Sequence, residues 1–118
     1  MYQFYNANPL KKFEEDCTIR AISCATGRSW DDVYNTMSDL AQYEGTMMDD
    51  RDFIINYLDS KFKRVPNLPR TVGQVSEMYF DSILLITMNG HICCSKYGII
   101  YDTFDPRNKL VEEAWIVK

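Results

Sequence analysis

Hydrophobic positions along the chain follow two regimes. Over roughly residues 17–79 they recur at helical spacing, and from Ser82 onward they form short runs bounded by turn residues. In CTIRAISCAT, after Asp16, apolar and small side chains lie nearly all round: Cys17, Ile19, Ala21, Ile22, Cys24 and Ala25. That pattern predicts a helix buried on most sides, with Asp16 as N-cap and Gly27 as C-cap. Ser29 is the expected cap of a second helix, WDDVYNTMSDLAQY, with Asp32 three residues on in the place of a capping-box Glu. Its Trp30, Val33, Tyr34, Met37, Leu40 and Ala41 give an i, i+3, i+4, i+7 stripe that reads as core. A third helix is expected over 49–60, with Phe53, Ile54, Tyr57 and Leu58 inward. VPNLPR reads as a loop, and Thr71 as the cap of a short helix, VGQVSEMY, which Gly73 weakens.

SILLITM reads as a continuous apolar strand. HICCS and GIIYDTF are two more, joined around Lys96–Tyr97–Gly98, and EEAWIVK supplies the last. Helices followed by consecutive antiparallel strands predict an α+β domain, its N-terminal helices packed on an antiparallel sheet. The 118 residues suffice for one core, giving a single domain over 1–118 with a helical part to about residue 80 and a sheet part beyond it.

The composition, 46% hydrophobic and 25% charged, is that of an ordinary globular chain. The net charge of −4 argues against nucleic acid or an anionic membrane surface as partner. SILLITM is too short to span a bilayer. MYQFYNANPLKK lacks the basic-then-apolar order of an export signal, so a cytoplasmic setting is expected. Cys17, Cys24, Cys93 and Cys94 are then expected as free thiols. No CxxC or HxxxH spacing occurs, and the adjacent Cys93 and Cys94 would point to opposite faces of a strand. No metal and no cofactor are expected.

The chemistry worth weighing lies in Cys17 and the single histidine, His91. A thiol at a helix start gains thiolate character from the first-turn N–H groups, which can also donate to an oxyanion. Asp16 would oppose this through its charge. Cys24 is mid-helix, and Cys93 and Cys94 fall in a core strand, so Cys17 is the preferred nucleophile. An even hairpin loop puts Asp102 on the His91 side, either opposite His91 (loop Lys96–Tyr97) or diagonal to it (loop Tyr97–Gly98). A three-residue loop would bring Asp105 to that face instead. A carboxylate on one ring nitrogen holds the tautomer in which the other accepts the thiol proton. The bland alternatives are a packed thiol and a satisfied strand histidine. Arg20, one turn into the buried helix, is expected to pair with an acidic side chain; binding a substrate carboxylate is its other reading. Asn6 and Asn8 read either as turn formers before Pro9 or as site residues.

Taken together, DCTIRAISCATGRSWDDVY and NGHICCSKYGIIYDTFD resemble the papain-like cysteine peptidase superfamily. The similarity is to small C39-like bacterial and phage-associated proteins of largely unassigned function. It is carried by Asn6 and Asn8 in the arm, Asp16–Cys17, Arg20–Ala21–Ile22, Gly90–His91 and Tyr101–Asp102–Thr103–Phe104, in that order along nearly the whole chain. The resemblance implies a papain-like fold with Cys17 as nucleophile, His91 as base and acid, and Asp102 as its orienting group. Asp105–Pro106 resembles an Asp-Pro of C39-like peptidases and keeps Asp105 as second choice. Papain-like enzymes place an oxyanion-hole glutamine about six residues before the cysteine; Lys11 stands there in this chain. Asn8, Asn6, Gln3 or the Cys17 backbone N–H are the substitutes.

The expected function is therefore a thiol hydrolase cleaving an amide bond in a protein or peptide: a peptidase, isopeptidase or deamidase. The alternative is a catalytically inactive papain-like domain that binds a partner protein in a phage or mobile-element setting. A redox-sensing thiol is the weaker third reading, because Cys24, the nearest thiol in sequence, is two helical turns from Cys17, about 10 Å.

Overall fold

A six-stranded sheet in the order β1-β5-β4-β3-β6-β2 is the frame of the molecule. The computed structural model describes residues 1–12 and 15–118. In chain order the elements are β1 (Tyr2–Phe4), α1 (Cys17–Thr26), α2 (Trp30–Glu44), α3 (Arg51–Lys61), β2 (Lys63–Arg64), α4 (Val72–Met78), β3 (Ile83–Met88), β4 (His91–Lys96), β5 (Ile99–Asp102) and β6 (Ala114–Ile116). The chain is thus α+β, as its pattern predicts.

The sheet is mixed rather than antiparallel. β1 runs parallel to β5, with Tyr2 opposite Ile100 and Phe4 opposite Asp102, while the other neighbours are antiparallel. Both outer strands, β1 and β2, come from the part of the chain expected to be helical. They are three and two residues long, too short to carry an alternating pattern of their own.

Both faces of the sheet are covered. Ile83, Leu85, Ile92, Cys94 and Trp115 join the core formed with α1, α2 and α3. Leu84, Ile86, Cys93, Ile100 and Ala114 pack with Val72 and Val75 of α4. This explains why β3 is apolar at every position but Thr87: all six of its residues are buried, and the Thr87 hydroxyl bonds Glu113. Cys93 and Cys94 point to opposite faces, as strand geometry requires.

The helix boundaries follow local rules with two exceptions. Ser29 accepts from the Asp32 N–H, Asp50 from Phe53, and Thr71 forms a full capping box with Gln74. Asp32 does not complete a box at Ser29; its carboxylate pairs with Arg28 at 2.7 Å. Asp16 precedes α1 but makes no side-chain cap bond. Its carboxylate is drawn instead to two strong donors, the Arg20 guanidinium and the Trp30 indole. α3 begins at Arg51, two residues later than expected, because Asp50 rather than Asp49 caps it.

The β4–β5 hairpin turns in two residues, Tyr97 and Gly98, at φ 53° and 82°. Positive φ at both positions is the primed turn that suits strand twist, and glycine takes it without steric cost. Cys94 then faces Tyr101 and Ser95 faces Ile100. By this register Asp102 falls on the His91 side of the sheet, diagonal to it, and the odd-loop alternative is removed.

Candidate functional site

The site forms where α1 begins, β4 begins and β5 ends. Cys17 opens α1, His91 opens β4 opposite Met88, and Asp102 closes β5. The Asn89–Gly90 turn fixes the histidine at the strand's first position.

His91 Nε2 lies 2.6 Å from Oδ2 of Asp102. Its other nitrogen, Nδ1, is thereby left on the side of Cys17, whose thiol interacts electrostatically with the same ring. Burial alone would push the Cys17 pKa up. The hydrogen bond and charge of His91, the Ile92 N–H and the Arg20 charge together outweigh it, and the thiol is lowered from its ordinary 9.0. Burial would lower His91, but bonds to Asp102 and Cys17 raise it to about 9.

The other thiols differ in environment. Burial pushes Cys93 and Cys94 well up, and Cys24, in the core near Cys94, is held below the ordinary thiol value by that neighbour. All four cysteines are free, and Cys17 alone is not fully buried.

Asp102 is buried, and each of its oxygens is engaged. Oδ1 accepts from the Thr103 N–H at 2.7 Å and from Arg20 Nη1 at 3.1 Å. Arg20 also reaches Thr103 Oγ1 at 3.2 Å and, through Nε, Asp16 Oδ1 at 2.8 Å. Trp30 Nε1 donates to the second Asp16 oxygen at 2.8 Å. The expected acidic partner of Arg20 is thus two partners, Asp16 and Asp102. The expected opposition of Asp16 to the thiolate is blunted, because Asp16 is paired with a cation that itself lowers the Cys17 pKa. Phe104 sits against the imidazole, ring centroids 4.7 Å apart.

Asp105 lies elsewhere. It is exposed and forks onto Arg107, with contacts of 2.7 to 3.0 Å. Asn6 and Asn8 are buried but build the arm: Asn6 Nδ2 donates to the Lys12 carbonyl and Asn8 Oδ1 accepts from the Leu10 N–H. Gln3 Nε2 donates to the Phe4 carbonyl. Among the described residues, the first-turn amides of α1 beside Cys17 take no bond from the Asp16 side chain. Trp30 and Thr103 were legible only as core and strand residues; the aromatic after Asp102–Thr103 is the one signal that pointed to Phe104.

Two cavities touch His91. One of about 390 Å³ runs past Met88, Phe104, Lys109 and Leu110. One of about 130 Å³ lies under Ile54, Ile55 and Glu112. A third, about 590 Å³, adjoins the start of α1 at Asp16 and Ile19 and is walled by Leu10, Trp30, Tyr34 and Met48. The largest, about 870 Å³, follows the N-terminal arm past Tyr5, Asn6 and Arg28 and touches neither Cys17 nor His91.

Among the described residues no three His, Cys, Asp or Glu side chains are placed to hold a metal ion, and no helix is long and apolar enough to cross a membrane. No family model, curated protein or solved structure matches the chain.

Proposed function

We propose that this domain is a papain-like thiol hydrolase acting on an amide bond of a protein or peptide. One observation carries the reading: a single imidazole bonded to a buried carboxylate and set beside a partly exposed thiol at a helix start. Such a ring can take the thiol proton, deliver it to a leaving amine, and then activate water. In the first step the Cys17 thiolate attacks the carbonyl carbon, and His91 protonates the departing amine as the C–N bond breaks. In the second, His91 removes a proton from water, whose oxygen attacks the acyl-thioester. Cys17 leaves as thiolate and the acid is released. The uncapped amides at the start of α1 are the donors available to the oxyanion.

A second reading has its own support. Lys11 stands where a papain-like glutamine is expected, and the Asn6 donor is engaged by the Lys12 carbonyl. These favour an inactive domain that binds a partner protein.

Iodoacetamide alkylation from pH 4 to 10, read at each cysteine by mass spectrometry, tests the ion pair. Fast reaction of Cys17 at pH 6, with an upward shift of more than one unit in His91→Ala, is the expected result. Reaction only above about pH 8.5, as for an ordinary thiol, with no response to His91→Ala, would reject the hydrolase reading. Turnover itself is decided by a peptide-amide library, with Cys17→Ala as the blank.

A further inference from the structure

We propose that Arg20 is a positioning residue of this site: its guanidinium grips Asp102 from the side away from His91 and so presents Oδ2 to the imidazole. The inference rests on the thiol-hydrolase reading.

The geometry is that of a closed chain of donors and acceptors. Trp30 Nε1 fixes one oxygen of Asp16, and the other fixes Arg20 Nε, each at 2.8 Å. With Nε held, the planar fork can aim Nη1 in one direction only, and there it meets Asp102 Oδ1 and Thr103 Oγ1. The Thr103 N–H takes the same Asp102 oxygen. Oδ2 is then the oxygen left for His91, at 2.6 Å. A carboxylate held on one side cannot rotate away from the ring.

Charge points the same way. Asp102 is buried beside His91, Arg20 and the Cys93 side of the sheet. Without the guanidinium, two buried carboxylates, Asp16 and Asp102, would stand close to a thiol that must ionise. Sharing Asp102 with a cation lets it orient the imidazole without setting its full negative charge against the thiolate.

Arg20 has a rival role as a purely structural tie between α1 and β5. The two are separated by the pH midpoint of Cys17 alkylation in wild type, Arg20→Met, Asp102→Asn and the double variant. Positioning through Asp102 requires coupling. Arg20→Met should raise the midpoint by about one unit, a tenfold loss of thiolate at a fixed pH below it. In the Asp102→Asn background the same change should move it by less than a third of that. Equal shifts in both backgrounds, or none in either, would overturn the proposal. If Arg20→Met fails to fold, Arg20→Lys carries the same cycle, since lysine keeps the charge but lacks the fork; again unequal shifts support and equal shifts overturn. Failure of the underlying reading is seen separately, as a midpoint indifferent to His91→Ala.

Discussion

His91 Nε2 meets Asp102 Oδ2 at 2.6 Å because the hairpin between them turns in two residues. One residue more or fewer in that loop would turn Asp102 to the opposite face of the sheet. The contact is thus written into the loop length as much as into the two side chains.

The two aspartates that compete for the third position are separable by mutation. Asp102→Asn should raise the pH midpoint of Cys17 alkylation, since the charge that helps hold His91 protonated is lost. Asp105→Ala should leave it within about 0.2 unit, because Asp105 is exposed and bound to Arg107. The reverse order would transfer the orienting role to Asp105.

Linkage predicts an unusual stability profile. His91 is raised from 6.5 to about 9, so between those values the folded chain holds a proton that the unfolded chain has lost. By itself that makes stability fall as pH rises. Cys17, lowered from 9.0, acts in the opposite sense above its folded pKa, where the unfolded thiol keeps the proton. The two cancel over the overlap. Calorimetry of wild type should therefore give a flatter Tm against pH than Cys17→Ala, whose Tm should decline as pH rises above 6.5. Parallel curves would show that the two groups do not titrate as a pair.

Gly98 tests the hairpin. At φ 82° an alanine is strained, and its Cβ would also lie 3.4 Å from Cβ of Phe80. Gly98→Ala should cost about 1–2 kcal/mol in urea denaturation. A neutral result would mean that the turn can change type.

The buried Ser76–Ser95 pair should behave non-additively. Their hydroxyls are 2.7 Å apart, and both residues are almost wholly inaccessible. Ser95→Ala strands the Ser76 hydroxyl and should cost about 1–3 kcal/mol, whereas the double change to alanine should cost less than either single one. A double mutant at the sum of the singles would show that water satisfies the orphaned group.

Features set by near neighbours were legible in the sequence. Ser29 and Thr71 cap as their side chains dictate, Gly27 ends α1 at φ 77°, and the run of β3, apolar but for Thr87, reads directly as a buried strand. The Cys17–His91–Asp102 grouping was legible in order, and the structure brings those three together. What escaped was decided at long range. A capping aspartate looks the same in sequence whether it serves its own helix or, like Asp16, is captured by Trp30 and Arg20. Tyr2–Phe4 has no pattern of its own and becomes a strand because β5 offers it an open edge.

That last pairing bears on when the site can exist. The Tyr2 hydroxyl and the Tyr5 N–H both bond the Asp102 carbonyl, the former across 100 residues of chain. The helix carrying the thiol is synthesised well before the strands that bring its base and orienting carboxylate. Closing such a loop is among the slower events in folding. Until those strands pair, Cys17 has neither the imidazole nor the carboxylate beside it, and the grouping arrives only with the finished sheet.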